Sequence, residues 1–416
     1  MKSPARWIAA LALASSAFSL VAAQDAPAGG DKPAGETPAP AAGEGQPEGE
    51  IDPSEAPALR VLNKKWVTED LKQCVRKGLK RLSELQQPNG SFTKGGGENV
   101  GIAVSSLAGL ALVASGSTPD KGPYANHVRK CMEYLLTCQD PNNGYFTGAN
   151  DGSRIHGHGY ATLFMTQILG TLKTPAERAK LEKSIQLAVK CIEAGQTAFG
   201  GWGYVPDDLT WDEGSTTVCC IQALRAASDA GINVNMKTIQ NAIKYMVDTA
   251  DQRTFVHDGV EYKGYTFKYS LASGWNSDSY ALCAAAIATM NGIGVYAEGA
   301  VWKEHEVGKI YKGGLAWLRF KFDEFNQRRR SGVGSLDVSH FYYANFYAVQ
   351  AMWNAPEEAF FDEYFPKIRD LLMDEQKRNS AGNGGWASQS YGEAYTTANA
   401  LMFLQVPYQL LPLYAK

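Results

Sequence analysis

From about Trp66 onward the chain alternates two hydrophobic patterns. In "KGLKRLSELQQPNGSF", Lys77 to Phe92, apolar residues return every three or four positions with charged residues between them, which predicts a helix with one buried face. Val104 to Val113 and Ala281 to Met290 are instead rich in Ala and other apolar residues, which predicts helices buried between neighbours. Each amphipathic stretch ends in a Gly-aromatic turn, passes through a variable loop and gives way to an apolar stretch. The unit is a helical hairpin.

The hairpin returns with a period of about 60 residues. Gln86 precedes Gly90 and Phe92, Gln139 precedes Gly144 and Phe146, Gln196 precedes Gly200 and Trp202, and Gln376 precedes Gly384 and Trp386. From Gln86 to Gln139 and from Gln139 to Gln196 the step is one period, whereas from Gln196 to Gln376 it is three. Two less regular units fill that gap, one opening with a helix from about Met236 to Thr249 and one with a helix from Gly313 to Phe325. Six hairpins give twelve helices. With the amphipathic set outside and the apolar set inside, they close into an all-α ring.

The segment ahead of Ala58 has a different character. Lys2 and Arg6, the apolar run Trp7 to Val21 and the small residues Ala22 and Ala23 form an export signal (1–23) cut before Gln24, a retained anchor being the alternative. Residues 24–57, rich in Ala, Pro, Gly and Glu, hold too little apolar surface to offset ordering entropy, which predicts a disordered tether ahead of one domain at 58–416. No later segment offers about 20 uninterrupted apolar residues, so no stable membrane span is expected after cleavage. The expected location is periplasmic or extracellular. A net charge of −3 gives no reason to expect a nucleic-acid partner. Seven cysteines are an odd number; Cys74, Cys131 and Cys191 recur at helical positions one period apart, which predicts buried packing thiols rather than a disulfide framework.

The run of Lys77, Gly78, Leu82, Gln86, Gly90 and Phe92 resembles the QW repeat of the terpenoid cyclase and protein prenyltransferase superfamily. The units bearing Trp202 and Trp386 keep its Gln and Gly-x-Trp. The resemblance covers about Trp66 to Pro412 and implies an (α/α)6 toroid, with the glutamines tying helix ends together and the aromatics stacking on neighbouring helices. Such a fold hosts many activities, so the chemistry has to be sought at the mouth where the inner helices begin and their dipoles favour anions.

Neither catalytic set of that superfamily is complete. Its cyclases protonate an alkene with an Asp-x-Asp-Asp motif; here Asp207, Asp208, Asp212 and Glu213 of "GGWGYVPDDLTWDEGSTT" are spaced differently, and the stretch also makes a turn and a helix cap at Ser215 or Thr216. Its prenyltransferases hold zinc through Asp-x-Cys and a His; the matching places read Asp278-Ser279-Tyr280 and His340, with Tyr for the Cys ligand, so no metal or other cofactor is expected. His156-Gly157-His158 presents two imidazoles with no third ligand fixed. The candidate catalytic residues are Asp212, Asp278 and His340: the two aspartates as a carboxylate pair, or His340 with Tyr343 and Asn345 as base, acid and carboxylate neutraliser. Trp211, Trp275, Tyr280, Tyr343 and Tyr395 are the candidate ligand-binding aromatics, and Glu98, Arg154, Asp337 and Glu393 fall at the same mouth. The expected function is to bind a ligand or a partner protein in an aromatic, acid-rimmed cavity, with an isoprenoid or a glycan as ligand. The alternative is a toroid enzyme acting on either class.

Overall fold

The computed structural model describes residues 65–92, 100–148, 150–274, 278–292, 306–330, 340–387 and 391–414, in which helices alternate between an outer and an inner ring. In chain order they are α1 (Glu69–Leu85), α2 (Gly101–Ala114), α3 (Ala125–Thr137), α4 (Arg154–Leu169), α5 (Pro175–Ala194) and α6 (Gly214–Asp229), then α7 (Met236–Thr249), α8 (Tyr280–Gly292), α9 (Glu306–Arg330), α10 (Phe341–Trp353), α11 (Glu358–Arg378) and α12 (Glu393–Leu404). Odd-numbered helices are outer and even-numbered ones inner. The export signal and tether expected at 1–57, Glu98, Trp275 and Asp337 lie outside the described residues. No helix among those described is long and apolar enough to cross a membrane.

Outer helices follow their sequence pattern closely. In α1 the buried residues Leu71, Cys74, Val75, Leu79 and Leu82 form one stripe. Thr68 starts the helix by accepting a hydrogen bond from the Leu71 N–H at 3.2 Å, with Glu69 and Asp70 against the positive end of its dipole. Inner helices are buried nearly all round; α4 is continuously buried from Gly157 to Leu169. Successive inner helices pack side by side and α12 returns to α2, closing the ring. Gly159 lets α4 and α6 approach, since a Cβ there would sit 2.8 Å from that of Cys219.

Four glutamines lock four of the six hairpins to the next by the same two bonds. The Nε2 of Gln86, Gln139, Gln196 and Gln376 donates to the carbonyl of its own turn glycine and to a carbonyl on the next outer helix, at 2.7–3.0 Å. The last reaches Cys74 of α1 and fastens the end of the ring to its beginning. The aromatic two residues after the glycine donates its backbone N–H to a fixed place on the inner helix: Phe92 to Ser105, Phe146 to His158, Trp202 to Thr217 and Trp386 to Thr397.

One element was not anticipated from the repeat. Between α7 and α8 an antiparallel hairpin pairs β1 (Ala250–His257) with β2 (Val260–Phe267) around an Asp258-Gly259 turn, both turn residues having positive φ. All seven cysteines are free thiols and six are buried, as their placement predicts.

The axis of the ring is filled in layers. Tyr160 of α4 meets Tyr347 of α10, hydroxyl to hydroxyl, at 3.3 Å, and Gln222 of α6 donates to Gln350 of α10 at 2.9 Å. At the far end the C-terminal segment packs against the inner helices: Gln405 donates to Ala111, the Leu413 N–H to Gln167, and Trp353 to the Tyr414 carbonyl. The end where the inner helices begin is left as the mouth.

Candidate functional site

The mouth is built by one structural position of the repeat. The residues that anchor the aromatic N–H groups face the outer ring; the side chain two positions earlier is turned by about 200° and faces the axis. Counting back from Ser105, His158, Thr217 and Thr397 gives Ala103, His156, Ser215 and Tyr395. Around these stand Tyr204, Tyr269, Tyr343 and Tyr391, all partly exposed.

His156, Ser215 and Glu213 form a chain. The Ser215 hydroxyl donates to Glu213 at 2.5 Å, and His156 Nε2 lies 2.7 Å from Ser215 Oγ. With Glu213 ionised, the hydroxyl proton is committed to the carboxylate, so Nε2 carries the imidazole proton and donates it. Nδ1 is then an acceptor, and it makes no hydrogen bond among the described residues. Burial, with His340 and Arg154 nearby, holds His156 down to about 4, so it is neutral at pH 7. Burial pushes the Glu213 carboxyl up, against hydrogen bonds from Ser215 and Thr216. The Tyr343 hydroxyl is buried beside Ser215 and forms no hydrogen bond of ordinary geometry among the described residues. Tyr395 packs edge-on to Tyr391 with centroids 5.2 Å apart, and Arg154 lies over the Tyr204 ring at 5.6 Å.

The structure separates the candidate acids. Asp212 is fully buried and accepts from the Tyr245 hydroxyl and the N–H groups of Leu271 and Ala272, all at 2.8 Å, so it clamps the segment after the β-hairpin onto α7 and α6. Asp278 is exposed and paired with Arg253 of β1 at 2.8 Å. The two do not form a carboxylate pair. Asp208 caps its own turn at Thr210, and Glu393 is held bidentately by Arg81 at 2.8 Å. Among the described residues, the acid left facing the mouth is Glu213. Glu213, rather than Ser215 or Thr216, caps α6, by accepting from the Thr216 N–H at 3.0 Å.

The remaining candidates divide similarly. His340 is exposed at the start of α10, close enough to His156 for their charges to interact. Asn345 is buried against Phe341 and Tyr364, away from any triad with His340 and Tyr343. His158 accepts from the Phe146 N–H and faces the Ala188 carbonyl, so it does not join His156 at a metal. Tyr280 is buried and stacked on Phe325, and Trp211 is half-buried. Tyr343 and Tyr395 do line the mouth. Missed as a working unit were His156 and Ser215, although the signal was available: they stand one repeat apart in the sequence.

A prenyltransferase α/α toroid domain model matches residues 56–265. No curated protein gives a match. Among solved structures, the α-1,6-mannanase GH76A of Salegentibacter sp. HEL1_6 aligns over 81% of this chain and 99% of its own, with a TM-score of 0.51 and 12% identity. An inactive variant of it in complex with α-1,6-mannotriose gives 0.52 and 11% over the same coverage. The type II terpene cyclase MstE from Scytonema covers 82% of this chain and 99% of its own at 11% identity, with a TM-score of only 0.33. Likeness at this identity speaks for the fold alone. With the family match spanning half of the sequence, on a closed ring of helical hairpins, the chain belongs to the prenyltransferase α/α toroid domain family.

Proposed function

We propose that the mouth binds a hydroxyl-rich ligand, a glycan being the chemical class that suits it. The observation that carries this is the pair of polar atoms with no well-formed hydrogen bond among the described residues, His156 Nδ1 and the Tyr343 hydroxyl, set among the rings of Tyr204, Tyr391 and Tyr395. Sugar rings stack their C–H faces on aromatics while their hydroxyls satisfy such atoms, and leaving a buried hydroxyl unpaired costs roughly 1–3 kcal/mol. An isoprenoid chain needs a long apolar tunnel; here the axis below the mouth is occupied by Tyr160, Tyr347, Gln222 and Gln350. The neighbouring mannanase holds a mannotriose on a similar fold, which is consistent support at the level of fold. The proposal includes export by the segment 1–23, so that the ligand is met in the periplasm or outside the cell.

The carboxyl of Glu213, buried and wired through Ser215 to His156, favours a second possibility: acid–base catalysis on the same ligand class. Calorimetric titration of the full chain with oligosaccharides, repeated with Tyr343→Phe and Tyr204→Ala, tests binding; affinity for no glycan in a broad panel sinks the proposal. Product analysis of the same mixtures, with His156→Ala as control, separates enzyme from binder.

A further inference from the structure

Resting on the glycan assignment of the mouth, we propose that the ligand is acidic and that the Arg154 guanidinium takes its carboxylate. Arg154 occupies the first turn of α4 with φ +52°, in the left-handed region that disfavours residues with a Cβ. That conformation aims an exposed side chain across the mouth, over the Tyr204 ring. Arg81, Arg129, Arg253 and Arg319 each hold a carboxylate, whereas Arg154 holds none among the described residues. Among the described residues the nearby carboxylates are already engaged. Glu213 is taken by Ser215 and Thr216, Glu393 by Arg81, and both oxygens of Asp151 by the N–H groups of Ile102 and Ser153.

A planar guanidinium held over an aromatic ring, with its five donors uncommitted among the described residues, matches the two oxygens of a carboxylate. His156 Nδ1 and the Tyr343 hydroxyl beside it then serve the hydroxyls of the same sugar. The backbone strain at position 154 points the same way: it persists where the side chain it positions is needed.

The test is titration of the full chain with a panel of oligouronates, their neutral methyl esters and sulfated oligosaccharides of equal length. The expected result is at least about tenfold tighter binding of acid than of ester, as a lost charge-assisted bidentate contact implies. The preference should disappear in Arg154→Gly and shrink in Arg154→Lys, which keeps the charge but loses the fork. Glycine adopts a positive φ without strain, so Arg154→Gly should melt at or above the wild-type temperature. Sulfated ligands that bind as well, with the same dependence on Arg154, would support the anion site and identify sulfate as its natural charge. Equal affinity for acid and ester, or an acid preference that survives in Arg154→Gly, overturns the acidic ligand held by Arg154 while leaving the glycan assignment standing. Binding of neither acid nor ester overturns both.

Discussion

Asp212 gives the sharpest separation between a catalytic and an architectural acid. Replacing it with Ala leaves the Tyr245 hydroxyl and the N–H groups of Leu271 and Ala272 buried without their acceptor. Hydrogen bonds to a charged group contribute about 1.5–3 kcal/mol each, and partial relaxation recovers some of that, so the expected loss is about 3–5 kcal/mol. With an unfolding entropy of about 2.1 cal/mol/K per residue over roughly 310 described residues, the melting temperature falls by about 5–8 °C. Asp212→Asn keeps the shape and one good acceptor and should lose about half as much. Differential scanning calorimetry of the three proteins reads this directly. An Asp212→Ala protein melting within about 1 °C of wild type would refute the clamp, and if it also lost a measurable activity the acid would return to the catalytic list.

Gln196→Ala removes two donated bonds, to Gly200 and Thr238, and should cost about 1–3 kcal/mol in urea unfolding, against nearly nothing for the exposed Gln186→Ala. Gly200→Ala forces a Cβ to within 2.4 Å of the Asn241 carbonyl at φ +94°, and should lower the urea midpoint by the equivalent of at least about 2 kcal/mol. His158, fully buried, is held neutral at about 4, below its unfolded value of about 6.5; its contribution is complete above about pH 6.5 and is lost as pH falls toward 4, by up to about 3 kcal/mol. His158→Asn, offering an uncharged acceptor to the Phe146 N–H, should flatten that acid limb in a pH series of melts. Glu213 runs the other way: its raised carboxyl favours folding below the unfolded carboxylate range and loses that advantage as pH rises, a trend Glu213→Gln should abolish.

The repeat was legible because it is a consequence of local chemistry. A glutamine, a positive-φ glycine and an aromatic recur in four of the six hairpins because each of those four ties the same two carbonyls and anchors the same N–H. The alternation of amphipathic and wholly apolar helices follows from ring geometry, since outer helices have one dry face and inner helices have none. The hairpin at 250–267 was also written locally, in an Asp-Gly turn between β-branched and aromatic residues, but the helical period drew attention away from it.

The site was decided by the tertiary structure. Asp212 and Glu213 are neighbours in sequence and both buried, yet extended backbone at the start of α6 turns alternate side chains to opposite sides. One therefore joins the clamp on the segment after the hairpin and the other reaches Ser215 and, through it, His156. Asp278 looked like a rim acid until β1 brought Arg253 against it. By itself the sequence determined that this chain folds as a ring of six helical hairpins, because that rests on contacts between each unit and the next. Which side chains converge at the mouth depended on partners one or more repeats away, and on which carboxylates those partners had already neutralised.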